Sequence, residues 1–247
     1  MNIAFTGKNV VVAGGSRGIG RSIALAFAAA GANVSICARG ERALRETEKE
    51  LQASGRIVHA ASCELADGPA VKDYVVAAAA ALGGIDVLVN NASAFGRSDD
   101  EAGWEASVSV DLMAPVRASY AALPFLERSA GSIVHISALA GLRPSVRTPP
   151  YGAIKAAIIQ YTKTQASQLA PRKIRVNCVA PGPIFFAGGT WDANQRNNPE
   201  LYTSVLSRCP FGRMGTPEEV ANVVLFLASE AASWVTGQTI AVDGAMV

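Results

Sequence analysis

A glycine-rich turn near the start of the chain, Gly14-Gly-Ser16-Arg17-Gly18-Ile19-Gly20, follows the apolar run Val10-Val-Val-Ala13 and opens a helical pattern from Ile19 to Ala30. Strand, glycine turn and helix in that order restrict the possible folds more than any other feature. Gly14 permits the tight turn, while Gly18 and Gly20 allow close backbone approach and close helix packing. The first amides of the helix, at the positive end of its dipole, then face the turn, an arrangement suited to the pyrophosphate of a dinucleotide.

Beyond the turn, short apolar strands alternate with longer helical patterns. Strands are expected at Asn33 to Cys37, Ile57 to Ala60, Ile85 to Asn90, Ser132 to Ser137, Ile174 to Val179 and Gln238 to Val242. Between them the spacing predicts helices over Arg42 to Ser54, Pro69 to Leu82 (with Asp67 as N-cap), Ala102 to Arg128 and Tyr151 to Leu169. A further helix starts at the capping box Thr216-Pro217-Glu-Glu219. Continuous Val, Leu and Ile in Ile85 to Asn90 marks a strand covered on both faces. Strict alternation makes this an α/β chain with a doubly wound parallel sheet and helices on both faces. With 247 residues, half of them hydrophobic, and no linker or repeat, one domain over residues 1–247 is expected.

Tyr151 and Lys155 stand four apart in a helical stretch and so share one face. There the ammonium favours phenolate, and the phenol pKa is expected to fall below its ordinary value near ~10. Such a tyrosine can exchange a proton with a carbonyl or an alcohol.

Five segments in sequence order carry a family resemblance. They are Gly7 to Gly20, Asp86-Val-Leu-Val-Asn-Asn-Ala92, Tyr151-Gly-Ala-Ile-Lys155, Arg175-Val-Asn-Cys-Val-Ala-Pro-Gly182 and Thr236 to Gly244. The whole chain resembles a single-domain short-chain dehydrogenase/reductase, in particular the 3-oxoacyl-carrier-protein-reductase-like members. The resemblance implies a Rossmann fold and hydride transfer between a nicotinamide coenzyme and a carbonyl or secondary alcohol. Tyr151 would be the proton donor or acceptor, with Lys155 beside it. It places Gly14, Ser16, Arg17, Gly18, Ile19 and Gly20 along the dinucleotide, Glu64 and Leu65 at the adenine edge, and Asn90 near the adenosine ribose. Tyr151, Lys155 and Ile184 would meet the nicotinamide half. It also implies a homo-oligomer, a tetramer, pairing the two long helices; the second is apolar on more than one face through Ala153, Ile154, Ala157, Ile158 and Tyr161.

The acid that NAD-specific proteins place about 20 residues beyond the turn is missing. Arg39 ends the second strand instead, and with Arg17 it suits the 2′-phosphate of NADP(H).

Two positions depart from the family pattern. Ala138 stands where a serine normally donates to the substrate oxygen, and Asp111 stands where an asparagine normally helps hold a water near the lysine. Ser137, Ser93 and Ser145 are the hydroxyls available to replace the serine, although Ser137 points to the wrong face of a regular strand. Two readings follow: an active NADP(H)-dependent reductase or dehydrogenase with a substituted donor, or a dinucleotide-binding protein with little turnover and a regulatory or subunit role.

The irregular stretch from Pro181 to Met214 follows a strand end and is read as the substrate loop, with Phe185, Phe186 and Trp191 as walls for a partly apolar substrate. Net charge is +2 with mixed signs, which offers no footprint for nucleic acid or an anionic membrane. The apolar stretch Val75 to Leu82 is too short to span a bilayer and reads as a buried helix. Cys37, Cys63, Cys178 and Cys209 lack metal or disulfide spacing, and His59 and His135 read as core or strand-end residues. The start, Met1 to Lys8, has no basic and apolar leader pattern, so a cytoplasmic protein acting on a small molecule is expected.

Overall fold

A computed structural model describes residues 3–247; Met1 and Asn2, at the head of the segment read above for a leader, lie outside the described residues. Among the described residues, seven strands form one parallel sheet in the order β3-β2-β1-β4-β5-β6-β7. They are β1 Asn9–Ala13, β2 Asn33–Ala38, β3 Val58–Ser62, β4 Val87–Asn90, β5 Ser132–Ile136, β6 Arg175–Pro181 and β7 Thr239–Val242. Each expected strand is present to within two residues. β4 and β5 are buried along their whole length, so β4 reads as a continuous run of Val and Leu while β5 buries the polar Ser132 and His135 among Ile and Val; the outer strands β3 and β7 are half-buried.

On one face pack α1 (Gly18–Ala29), α2 (Glu41–Gln52) and α9 (Pro217–Ala228), which bury Ile23, Phe27, Leu44, Leu51, Val224 and Leu227 against the sheet. On the other lie α3 (Gly68–Leu82), α5 (Ala114–Ser129) and α6 (Pro149–Leu169), with Tyr74, Val75, Leu126 and Leu169 inside. Full burial of each such aliphatic or aromatic side chain contributes roughly 1.5–3 kcal/mol. α3 is not buried all round as expected: Val76 is 46% exposed, so the helix is two-faced. Asp67 occupies its N-cap position, but the side chain makes no capping bond. At α9 the capping box forms, with the Thr216 amide donating to Glu219 Oε2 at 2.8 Å.

The long helix expected over Ala102 to Arg128 is present but interrupted. α4 (Glu101–Ala106) runs into a π-helical turn at Ser107–Met113, and α5 follows. Pro115 explains the break: it has no N–H for the carbonyl four residues back, that of Asp111, so the backbone widens there. The stretch from Pro181 to Met214 is more regular than expected. It holds α7 (Thr190–Asn197) and α8 (Pro199–Leu206), divided by Asn198, whose side chain accepts from the Leu201 amide, and by Pro199 in the first turn of α8. No helix among the described residues is long and apolar enough to cross a membrane.

Strand order reverses between β1 and β4. Their register sets Ala13 opposite Asn90, so the glycine turn and the segment Asn91-Ala92 emerge side by side. Beneath them a polar chain crosses the core. Asn90 Nδ2 donates to His135 Nδ1 (3.2 Å), His135 Nε2 donates to Gln165 Oε1 (3.0 Å), and Gln165 Nε2 donates to the Tyr161 hydroxyl (3.1 Å). These partners fix the imidazole as the neutral Nε2–H tautomer.

Burial lowers the His135 pKa to about 4, with Gln165 opposing the shift and Lys155 adding to it. An unfolded chain takes up that proton near pH 6.5 and the folded one does not. Stability is therefore complete above about 6.5 and declines as pH falls toward 4, by on the order of 3 kcal/mol. His59, also lowered by burial, acts in the same direction. Denaturant melts between pH 7 and 4.5 should show this slope, and His135→Gln should flatten most of it. An unchanged slope in that variant would rule out the assignment.

Candidate active site

Close approach builds the glycine turn. Gly14 has φ +83°, and a Cβ there would lie 2.7 Å from the Ala92 Cα; one on Gly20 would lie 2.0 Å from the Gly14 carbonyl oxygen. The Gly14 and Gly15 amides donate to the Cys37 carbonyl at 3.0 and 3.1 Å. Asn91, which the sequence reading passed over, donates from Nδ2 to the Gly14 carbonyl at 2.8 Å. Thr47 on α2 donates to the Ser16 carbonyl at 3.0 Å. Arg17 is the N-cap of α1, extended and exposed, with no capping bond from its side chain, so the first amides of Gly18, Ile19 and Gly20 keep their donors free. Such a cradle fits the pyrophosphate of a dinucleotide.

At the end of β2, Arg39 is exposed and its guanidinium stands 3.9 Å from the Glu64 carboxylate, a solvated and therefore weak pairing. Leu65 is buried beside them. Asn90 is buried too, its amide nitrogen spent on His135 while Oδ1 has no partner. Ile184 lies on the segment after β6, where it bridges to Gly215.

The β5–α6 junction gathers the catalytic candidates. Lys155, 2% exposed, donates from Nζ to the Ile136 carbonyl at 3.0 Å and stands 3.0 Å from Asp111 Oδ1. Asp111, held by the π-helical turn, accepts from the Ala94 amide at Oδ2 (3.0 Å). Its Oδ1 meets the ammonium as an ion pair without hydrogen-bond alignment. The Lys155 ammonium sits 5.4 Å from the centre of the Tyr151 ring. Burial alone would lower the Lys155 pKa, but Asp111, with Tyr151, outweighs it and holds the ammonium above its ordinary value.

Tyr151 departs from expectation. Burial raises its pKa; Lys155 pulls down, but Asp111 pushes up again, and the net shift is upward. The lowering expected from a helix-mate lysine fails chiefly because burial of the phenol outweighs it, and Asp111 adds a smaller rise of its own. The resting phenol is neutral, the form in which it can donate a proton.

Ala138 is buried and offers no hydroxyl, and the neighbouring Ser137 donates to the Lys155 carbonyl at 2.8 Å. Ser145 pairs with Thr148 at 2.7 Å. Ser93 is exposed and only accepts, from the Phe95 amide at 3.0 Å, so its own proton is free to donate. Sequence reasoning also missed Phe95, whose ring meets Tyr151 edge to face with centroids 4.8 Å apart. Of the three expected aromatic walls, Phe185 and Trp191 pack with Tyr202 and Met214 under α7 and α8. Phe186 instead lies against the glycine turn: a Cβ on Gly18 would be 2.4 Å from its ring.

Residues 13–246 match the family model described as enoyl-(acyl carrier protein) reductase. The chain is 37% identical to the isoepoxydon dehydrogenase patN of Penicillium expansum, over 96% of this chain and 94% of that one. It is also 37% identical to the 3-oxoacyl-[acyl-carrier-protein] reductase FabG of Chlamydia muridarum, over the whole of both. Among solved structures, the L-sorbose reductase of Gluconobacter frateurii complexed with NADPH and L-sorbose superposes with a TM-score of 0.91 at 30% identity, covering 100% of this chain and 98% of that one. A 7α-hydroxysteroid dehydrogenase complexed with NADH and a 7-oxo bile acid gives 0.92 at 31% identity, with 99% and 96% covered. The chain belongs to the short-chain dehydrogenase/reductase family of nicotinamide-dependent oxidoreductases.

Asp111→Asn keeps the side-chain shape but leaves Lys155 uncompensated. Ultraviolet titration of phenolate, with Tyr151→Phe as the subtraction reference, should then place Tyr151 at lower pH than in the wild type. No movement, or movement upward, would show that Asp111 does not set the phenol's charge.

Proposed function

We propose that the protein is an NADP(H)-dependent oxidoreductase interconverting a carbonyl compound and a secondary alcohol. The carrying observation is the neutral Tyr151 phenol beside a buried, charge-compensated Lys155. A bound nicotinamide coenzyme supplies or accepts the hydride. In reduction Tyr151 Oη gives its proton to the substrate oxygen, and in oxidation it takes the alcohol proton back. Lys155, fixed by the Ile136 carbonyl and Asp111, stabilises the phenolate left after donation. Ser93 replaces the donor that Ala138 lacks, a reading supported by its free hydroxyl proton, whereas Ser137 donates to Lys155 and Ser145 is paired with Thr148.

Arg17 and Arg39, both exposed at the adenosine end with no acid at the strand terminus, support NADP(H) over NAD(H). A tetramer is supported by apolar surface left open on α5 and α6: Tyr120 is 63% exposed, Ala153 is exposed, and Ala157 and Tyr161 are half-exposed, whereas Ile154 and Ile158 turn out to face the core. Trp234, 98% exposed ahead of the edge strand β7, supplies a second such surface. The alternative, a dinucleotide-binding protein with little turnover, draws on the engagement of Ser137 next to Ala138.

A screen of ketones and secondary alcohols, followed by coenzyme absorbance, separates the two. Tyr151→Phe should abolish turnover, and Ser93→Ala should lower kcat by roughly 10²–10³, the usual cost of one missing oxyanion donor. Full activity in Tyr151→Phe would end the mechanism; tight NADPH binding with no turnover of any substrate would favour the alternative.

Arg39→Ala should weaken NADPH binding by roughly 1.5–3 kcal/mol and leave NADH nearly unchanged. Equal affinity of the wild type for both coenzymes would remove the preference for NADP(H).

A further inference from the structure

The segment between β4 and α4 holds an arginine that the proposed reaction does not use. Its backbone is tightly determined. The Ala94 amide is fixed by Asp111, and the Phe95 amide is fixed by Ser93 Oγ. Phe95 itself sits at φ +53°, a left-handed conformation that costs a bulky residue energy and persists only where surrounding contacts impose it. Gly96 is pressed onto α4, where a Cβ would stand 2.1 Å from the Gly103 carbonyl oxygen. The strained turn has two outcomes: Phe95 meets the Tyr151 ring, and the Arg97 guanidinium is held over the Phe95 ring, 4.5 Å from its centre.

Arg97 is exposed and is followed closely by Asp99 and Asp100, with which a surface arginine would ordinarily pair. Both acids are committed elsewhere. Asp100 Oδ1 caps α4 through the Gly103 amide at 2.8 Å, and Asp99 Oδ1 accepts from the Trp104 indole at 3.1 Å. Among the described residues no carboxylate pairs with Arg97. Its positive charge is therefore positioned one aromatic ring away from the Tyr151 ring and left without a protein counter-ion, at the sheet edge where open α/β folds bind ligands.

We infer that Arg97 is an anion-recognition residue of the substrate site, and that the preferred substrate is a carbonyl compound or alcohol bearing a carboxylate or phosphate group. This rests on Tyr151 being the reacting residue. A guanidinium fork matches either oxyanion, and holding it on an aromatic face limits the side-chain entropy lost on binding.

The experiment compares charged and neutral partners of one shape on the NADPH-loaded protein: 4-oxopentanoate against its methyl ester, and dihydroxyacetone phosphate against dihydroxyacetone. Calorimetric affinity and kcat/KM are both read. At least one anion should bind roughly tenfold to a hundredfold more tightly than its neutral partner, the usual span for a charge-assisted contact. Which pair shows the larger ratio identifies carboxylate or phosphate as the recognised group. Arg97→Gln should erase the ratio through KM while leaving the neutral ketone within about twofold, Arg97→Lys should restore part of it, and added salt should shrink it. Equal affinities within both pairs, or a ratio that survives Arg97→Gln, would overturn the inference. Arg97-dependent anion binding without turnover of any substrate would instead leave it standing and count against the oxidoreductase reading.

Discussion

Lys155 is where the two halves of the site are joined. Its ammonium donates to the carbonyl of Ile136 at the end of β5, its own carbonyl accepts from Ser137, and its charge is matched by Asp111 on the interrupted helix. A buried ammonium without such partners would cost several kcal/mol or lose its proton. The lysine is charged only because strand end, helix and π-helical turn come together around it. Tyr151, one turn earlier on α6, takes its position and its protonation state from the same convergence.

This explains which features were legible in the sequence and which were not. Val87–Asn90 is a strand covered on both faces, and its run of Val and Leu depends on no distant partner. The glycine turn was legible because a Cβ at Gly14 or Gly20 would strike neighbouring backbone. Asp111 was legible as a departure, but its effect on Tyr151 was not. The sign of that shift depends on burial and on a 3.0 Å contact between residues 44 positions apart. A helix-mate lysine viewed alone gives the opposite sign.

Side-chain destinations were the hardest to anticipate. Phe185 and Phe186 are adjacent and chemically identical, yet one packs with Tyr202 under the short helices and the other against Gly18. Nothing local separates them; the path of the chain after β6 does. Likewise Ser137 falls just past the last residue of β5, and its hydroxyl is taken by a carbonyl of α6 that only the tertiary fold brings near. Phe95 carried no sequence signal at all, because a left-handed phenylalanine is sustained by its surroundings and not by its own preference.

The π-helical turn at Ser107–Met113 makes the helix around it intolerant of regularisation. Removing one residue there would restore ordinary hydrogen bonding and leave the two flanks close to their present phase, but the side chains inside the turn would be turned about the helix axis. The stripe Ala114, Ala118, Ala122 and Leu126 would stay in the core, while Asp111, inside the turn, would swing away from the lysine. Segment length between residues 101 and 129 is thus set by two demands with incompatible periods, and a change of a single residue in the count cannot satisfy both.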